Sequence, residues 1–128
     1  MKRFALAAVA MVMGSGMAMA EPALGTWKTE VDDGSYAHVE MVQCGSNVCG
    51  TIARTFKDGA EYESDNIGKM LVRNMEPQGN GRYEGRVWRP SNNKIYIGKM
   101  DVNGNSLKLR GCVAGGLICA KQNWTRIK

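Results

Sequence analysis

Several residue types and patterns that mark common functions are scarce in this sequence. It has one histidine, His38, so a histidine-rich zinc site is excluded by count, and a Ser-His-Asp or Cys-His arrangement would depend on that single side chain. No Cys-x-x-Cys redox motif occurs, and no run of five or six like charges supports nucleic-acid binding. We therefore predict no catalytic residue, no metal ligand, no cofactor and no nucleic-acid partner.

A long apolar run is also missing, because the one strongly apolar stretch lies at the start and is short. Lys2 and Arg3 precede an apolar segment over 4–12, and Ala18-Met19-Ala20 forms a small-x-small cleavage pattern. Glycines and a serine at 14–16 interrupt the segment before it could cross about 30 Å of hydrocarbon. The pattern predicts a cleaved signal peptide over 1–20 and a periplasmic or secreted mature protein without a transmembrane segment.

The mature chain, 21–128, has the length of one small domain, and we predict a single domain over that range. All four cysteines lie in it: Cys44, Cys49, Cys112 and Cys119. An even count in an exported chain predicts two disulfides. Local pairs, 44 with 49 and 112 with 119, would each contribute about 2–2.5 kcal/mol by the chain-entropy model, although spacing alone leaves crossed pairing open.

Turn signals rich in Asn, Asp and Gly recur every eight to twelve residues and separate short runs with a period of two. They predict strands near 25–30, 36–43, 49–54, 69–76, 82–88, 94–101, 106–112 and 117–127, whereas 60–68 has room for one helical turn. The fold class is therefore all-β. We expect a small antiparallel up-and-down meander that closes into a barrel of about eight strands, with a two-sheet sandwich as the alternative.

The ends of this meander suggest how the barrel closes. Gly25-Thr26-Trp27 opens the first strand, and Trp124-Thr125-Arg126 ends the last. Because first and last strands are neighbours in such a barrel, we expect the Arg126 guanidinium to lie over the Trp27 ring, with Trp124 on the same face as Arg126. The Gly-x-Trp start and the C-terminal arginine resemble those of lipocalins and related calycin barrels.

A fuller pattern resembles one bacterial exported family. The stretches "CGSNVCGTI", "GRYEGRVWRPSNNKIYIGKM", "LKLRGCV" and "CAKQNWTRI" occur in the order found in a domain of unknown function, number 2147. The resemblance runs from Gly25 to Ile127 and implies a lipocalin-like barrel, a periplasmic or secreted location and no assigned activity. The segment 57–68, "KDGAEYESDNIG", is shorter than in many members and has no proline.

A barrel of this size either fills its interior or holds one small ligand. We predict non-catalytic binding of a small, partly apolar or amphipathic ligand in the barrel mouth. The candidate lining consists of residues predicted to face inward, although 69–76 can be assigned to either face: Val39, Met41, Met70, Met75, Tyr83, Val87 and Met100.

The alternative is a protein-interaction module, or an inhibitor of an envelope or host enzyme such as lysozyme. Its candidate surface is a basic and aromatic patch formed by Arg82, Arg86, Trp88, Arg89, Lys94 and Tyr96. The same residues fit an ordinary solvated barrel wall on which arginine stems cover aromatic rings. An open lumen would favour the ligand, and a filled lumen would favour the interaction module.

Overall fold

Regular structure consists almost entirely of β-strands, as the turn spacing predicts. A computed structural model describes residues 21–128, and the predicted signal peptide lies outside the described residues. The strands are β1 (Gly25–Lys28), β2 (Ser35–Cys44), β3 (Asn47–Lys57), β4 (Ala60–Tyr62), β5 (Met70–Gly79), β6 (Arg82–Arg89), β7 (Lys94–Asn103), β8 (Ser106–Val113) and β9 (Ile118–Arg126). A single 3-10 turn, Ala114–Gly116, joins β8 to β9.

The sheet closes on itself. Neighbouring strands are antiparallel in the order β1, β2, β3, β5, β6, β7, β8 and β9, and β9 returns to β1 through the pairing of Arg126 with Trp27. Eight strands therefore form a closed barrel, and the sandwich is excluded. Residues 21–128 contain no helix long and apolar enough to cross a membrane.

The segment 60–68, which has room for one helical turn, holds the short ninth strand β4, followed by turns at 65–68. Asp58 and Gly59, both at positive φ, turn the chain back so that Ala60 pairs with Lys57 and Tyr62 with Thr55. β4 therefore prolongs β3 at one end of the barrel as a short antiparallel flap.

A bulge in β5 explains why both odd- and even-numbered apolar residues of 69–76 point into the barrel. Asn74 has a φ of +49°, and the pairing with β6 shifts register between Arg73 and Glu76. The extra residue lets both Val72 and Met75 point inward, an odd spacing that strict alternation forbids. Gly85 makes room for the bulge, since a Cβ there would lie 2.5 Å from the carbonyl oxygen of Asn74.

One end of the barrel is packed solid, and we call it the sealed end. Trp27, Met75 and Met100 are almost fully buried there, and the segment that precedes β1 places Ala23 against them. The indole Nε1–H of Trp27 donates to the carbonyl oxygen of Ala23 at 2.8 Å, so the buried ring has its polar atom satisfied.

Both disulfides are local. Cys44 is bonded to Cys49 next to the β2–β3 turn, and Cys112 is bonded to Cys119 across the β8–β9 hairpin. Because these two bonds use all four cysteines, crossed pairing is excluded and no free thiol is left.

Candidate functional site

The end opposite the sealed end is open and encloses a cavity of about 660 Å³. Its rim is made by the loops 29–34, 58–69 and 90–93 and by the start of β9. This volume lies in the range of sites that hold small molecules. The lumen therefore has two parts, a packed lower half and an open upper half.

Apolar side chains form the floor and inner wall of the cavity. They are the inward-facing residues of β3, β5, β6, β8 and β9: Ile52, Leu71, Val87, Leu109 and Trp124. Four of them point inward because alternate residues of a strand face the lumen. Leu71 is the extra residue where the pairing of β5 with β3 shifts register between Gly50 and Thr51, and it is buried next to Val72. The indole Nε1–H of Trp124 donates to the side-chain oxygen of Gln122 at 2.9 Å, so this wall presents an apolar ring face.

The polar groups of the upper wall are mostly already bonded within the protein. Thr29 accepts a hydrogen bond from the backbone N–H of Ala37 at 2.9 Å, and Thr55 donates to the carbonyl oxygen of Tyr62 at 2.6 Å. The inner cavity therefore favours apolar groups, and polar recognition is left to the rim.

A bidentate ion pair crosses the mouth. Arg89, at the end of β6, donates from Nε and one terminal nitrogen to the two carboxylate oxygens of Asp32 at 2.9 and 2.7 Å. Asp32 belongs to the β1–β2 loop, and β6 lies opposite β1 in the barrel order. Glu30 of the same loop accepts from the backbone N–H of Asn123 at 2.7 Å. The loop is thus tied to two other parts of the rim.

Most of the residues predicted to line a ligand do not line this cavity. Of the seven, Val87 alone is on its wall. Five pack in the barrel interior away from the cavity: Val39, Met41, Met75, Tyr83 and Met100. Met70 is 41% exposed at the start of β5, where the pairing with β3 shifts register between Gly50 and Thr51. Height along the barrel decides which inward-facing residues meet the cavity.

Tyr83 helps to close the sealed end. Its hydroxyl donates to the Glu21 carboxylate at 2.8 Å and accepts from the backbone N–H of Ala23 at 3.3 Å. Burial, followed by the hydrogen bond to Glu21, raises the pKa of Tyr83 far above its usual value. The phenol is therefore a neutral donor that holds the 21–24 segment in the barrel base.

Two of the three residues predicted to close the barrel, Trp27 and Arg126, meet at this same end. The Arg126 guanidinium carbon lies 4.3 Å from the centroid of the Trp27 ring. Its nitrogens donate to the carbonyl oxygens of Leu24 at 2.6 Å, Pro22 at 2.7 Å and Gly104 at 3.2 Å. Trp124 is buried on the same face of β9 as Arg126, but it points into the cavity two residues higher.

The residues of the predicted surface patch do not form one surface. Trp88 is 8% exposed, with Lys69 and Arg73 over its ring. Arg89 and Tyr96 line the mouth of the cavity, whereas the remaining three stay exposed outside it: Arg82, Arg86 and Lys94. The two long cationic side chains that cover the Trp88 ring, Lys69 and Arg73, are not members of the predicted patch.

Comparison with protein families shows which family the chain belongs to. A family model described as "Uncharacterized protein conserved in bacteria (DUF2147)" matches residues 25–126, which is most of the chain. The chain belongs to the DUF2147 family. Among curated proteins, no relative matches it.

Two solved structures share the architecture of this DUF2147 protein. One is protein HP1028 from Helicobacter pylori, described as belonging to the lipocalin family; it is 16% identical, each chain is covered over 82%, and the TM-score is 0.67. The other is fatty-acid-binding protein 1 from Echinococcus granulosus, 14% identical, covering 84% of this chain and 99% of that one with a TM-score of 0.50. At these identities the likeness shows the lipocalin-like barrel fold.

The single histidine of the DUF2147 protein lies outside the barrel, away from the cavity. The ring of His38 is 4.7 Å from that of Phe56, which stacks on Tyr36 at 4.6 Å. Partial burial and the nearby Arg54 charge lower the pKa of His38 below its usual value. The imidazole is thus part of an outer aromatic cluster.

Sequence reasoning missed the upper wall for an identifiable reason. Leu109 and Gly111 continue the inward parity of Leu107 along β8, so alternation contains the signal for them. The ion pair between Asp32 and Arg89 has no local signal, because 56 residues separate the two side chains in sequence.

Proposed function

We propose that this protein binds a small, partly apolar or amphipathic ligand in the mouth cavity and does no chemistry on it. The observation that carries the proposal is a barrel sealed at one end that keeps a cavity of about 660 Å³ with an apolar floor at the other. Apolar lining that faces water in an open cavity is unfavourable, and a ligand whose apolar part covers that lining is stabilised by the burial.

The arrangement of charges suggests how the ligand is oriented. Floor residues such as Leu109 are apolar, whereas Asp32 and Arg89 lie at the mouth. An amphipathic molecule would place its apolar part on the floor and its polar end among these side chains. The fold also supports this proposal, since one neighbour with the same barrel is a fatty-acid-binding protein.

Gly111 offers a way to test the site by filling it. A Cβ added there would make ordinary contacts at 3.5 Å with Tyr96 and 3.6 Å with Val87, and the backbone needs no positive φ. Gly111→Leu should therefore fold and occupy the cavity with its side chain. Ser106→Leu adds the same side chain to an exposed position of the same strand and serves as the control.

Binding is measured with a medium-chain fatty acid that carries a dansyl group. We expect saturable binding with quenching of Trp124 fluorescence, at least tenfold weaker in Gly111→Leu and unchanged in Ser106→Leu. Binding that is not saturable, or equal binding by both variants, would overturn the proposal.

The interaction-module alternative was tied to a filled lumen and a continuous aromatic and arginine patch. The open upper cavity and the burial of Trp88 both weigh toward the ligand instead. Electrostatics also weigh against lysozyme as a partner, because lysozymes are usually basic and this mature chain is mildly basic as well.

We further propose that the chain is exported and that residues 21–128 form its one mature domain. Both cysteine pairs are disulfide-bonded, as an oxidising compartment allows. Mass spectrometry of the protein recovered from a periplasmic extract should give a chain that starts at Glu21. Recovery with residues 1–20 attached would refute the cleavage site.

A further inference from the structure

Exposed apolar side chains concentrate at the open end, and most strongly on the β8–β9 hairpin. Leu117 is 87% exposed and Ile118 64%, with Val113 at 47% beside them and Ile95 at 54% on the adjacent strand. We call these four residues the apolar tip. Between the two cysteines of the hairpin, the sequence VAGGLI contains no side chain that forms hydrogen bonds.

The hairpin is held in this exposed position. Ile118 pairs with Val113, and the next pair, Cys112 with Cys119, is covalently bonded. A cross-linked two-stranded hairpin cannot fold back to bury its tip as an open loop would. The exposure of Leu117 and Ile118 is thus a fixed property of the barrel.

Directly below the tip, three cations stand side by side on the outer face. Arg110 pairs with Lys99 on one side and with Lys121 on the other, and directly paired side chains share a face. Like charges placed opposite each other destabilise a sheet. Asp101 bonds to Arg110 at 2.8 Å, and Glu84 of β6 pairs with Lys99, so three cations face two carboxylates and the row keeps one net positive charge that an anionic partner would offset.

The row belongs to a strongly basic half of the molecule. Residues 85–128, which include most of β6 and all of β7 to β9, carry nine basic and one acidic side chain. Residues 21–84 carry six basic and eleven acidic ones. The apolar tip therefore emerges from the cationic side of the barrel.

We propose that the apolar tip and the cation row dock this protein on an anionic phospholipid surface. Lys121 follows Ile118 by three positions in β9, about 10 Å along a strand, which matches the depth to which interfacial segments bury apolar side chains below the headgroups. The tip has none of the Trp, Tyr or Arg anchors that dominate protein interfaces, so lipid is the better match. The inference goes beyond ligand binding and does not depend on it.

Vesicle co-sedimentation of the purified, disulfide-bonded protein tests the proposal. We expect binding to vesicles of phosphatidylcholine with phosphatidylglycerol, little binding to phosphatidylcholine alone, and weakening at high salt. The double variant Leu117→Asn, Ile118→Asn should lower the partition coefficient at least tenfold. Lys99→Gln with Lys121→Gln should lower it about 30-fold, from about 1 kcal/mol per cation near such a surface.

Two matched control variants test whether vesicle binding depends on where the apolar and basic residues lie, and not only on their number. Val42 and Ile127 are also exposed apolar residues, at 51% and 44%, but lie toward the sealed end, so Val42→Asn with Ile127→Asn should bind as the wild type does. Lys28→Gln with Lys57→Gln removes the same charge from the acidic part of the chain, 21–84. This pair should have a much smaller effect on vesicle binding than Lys99→Gln with Lys121→Gln.

The proposal is overturned if neutral and anionic vesicles bind equally, or if the tip variant binds like its control. It is also overturned if the wild type binds no vesicle but self-associates through the tip in light scattering, which would make a second copy the partner. The tip variant should keep its affinity for the dansyl fatty acid, since Leu117 and Ile118 do not line the cavity. Vesicle co-sedimentation and fatty-acid binding therefore distinguish a failure of membrane docking from a failure of ligand binding.

Discussion

Replacing Arg126 should show how strongly the chain ends hold the barrel closed. Its guanidinium lies 4.3 Å from the Trp27 ring centroid and donates hydrogen bonds to three backbone carbonyls. Arg126→Met keeps much of the apolar stem and removes all of these polar contacts.

The expected loss follows from adding the contacts. Three hydrogen bonds from a charged donor, partly exposed to water, contribute about 1 kcal/mol each, and the cation–π contact adds about 1 kcal/mol. We expect Arg126→Met to lower the free energy of unfolding by about 3–4 kcal/mol. Trp27→Leu should cost about as much, because it opens space among fully buried side chains and leaves the Ala23 carbonyl without its donor.

Urea unfolding with the disulfides intact measures both losses, and the double variant completes a cycle. A coupling energy of about 1 kcal/mol between Trp27 and Arg126 is expected, with unchanged dependence on urea concentration. The melting temperature of Arg126→Met should fall by roughly 13–18 °C. Arg126→Lys keeps the charge but not the forked donor geometry, so it should recover only part of the loss.

A coupling energy within error of zero would refute the cation–π part of this reasoning. A loss below 1 kcal/mol in Arg126→Met would refute the closure argument as a whole, since it would mean that the carbonyl contacts contribute nothing.

Three further outcomes are expected. Gly25→Ala should destabilise strongly, because Gly25 has a φ of +122° and a Cβ there would lie 2.6 Å from the carbonyl oxygen of Lys128; thermal unfolding measures this, and a wild-type melting temperature would contradict it. Replacing Cys112 and Cys119 by serine should cost about 2–2.5 kcal/mol in urea unfolding, and no measurable loss would argue against a stabilising cross-link. The pKa of His38, measured by NMR, should lie below 6.5, and Arg54→Gln should raise it. Because the folded state binds this proton less readily than the unfolded chain does, the contribution of His38 to stability is present above about pH 6.5 and is lost as the pH falls below that value.

The barrel follows from the sequence because its determinants are local. Turn residues such as Asp58-Gly59 place the reversals, and alternation in β2 and β8 assigns Val39 and Leu107 to the inside. The disulfides follow from count and compartment, although only the folded strands decide which cysteines meet.

The candidate site is harder to predict because it depends on height along the barrel axis. Alternation distinguishes inside from outside, but Tyr83 and Val87 share one face of β6 and end at opposite ends of the lumen. Two irregularities of β5 break alternation through backbone geometry: the bulge at Asn74 lets Met75 point inward, and the register shift against β3 leaves Met70 outside. Coverage of Trp88 depends on Lys69 and Arg73 from the neighbouring strand, which a single-strand pattern does not contain.

The contact of Arg126 with Trp27 has a consequence for the order of folding. It joins residues that are 99 apart in sequence, whereas each disulfide spans only five or seven. A chain that still lacks its last residues can form both cross-linked hairpins, but it cannot close the cylinder. Because such distant contacts form slowly, ring closure should be the late kinetic step. Until then, β1 and β9 expose unpaired backbone edges, so a chain truncated before Arg126 would be prone to aggregate.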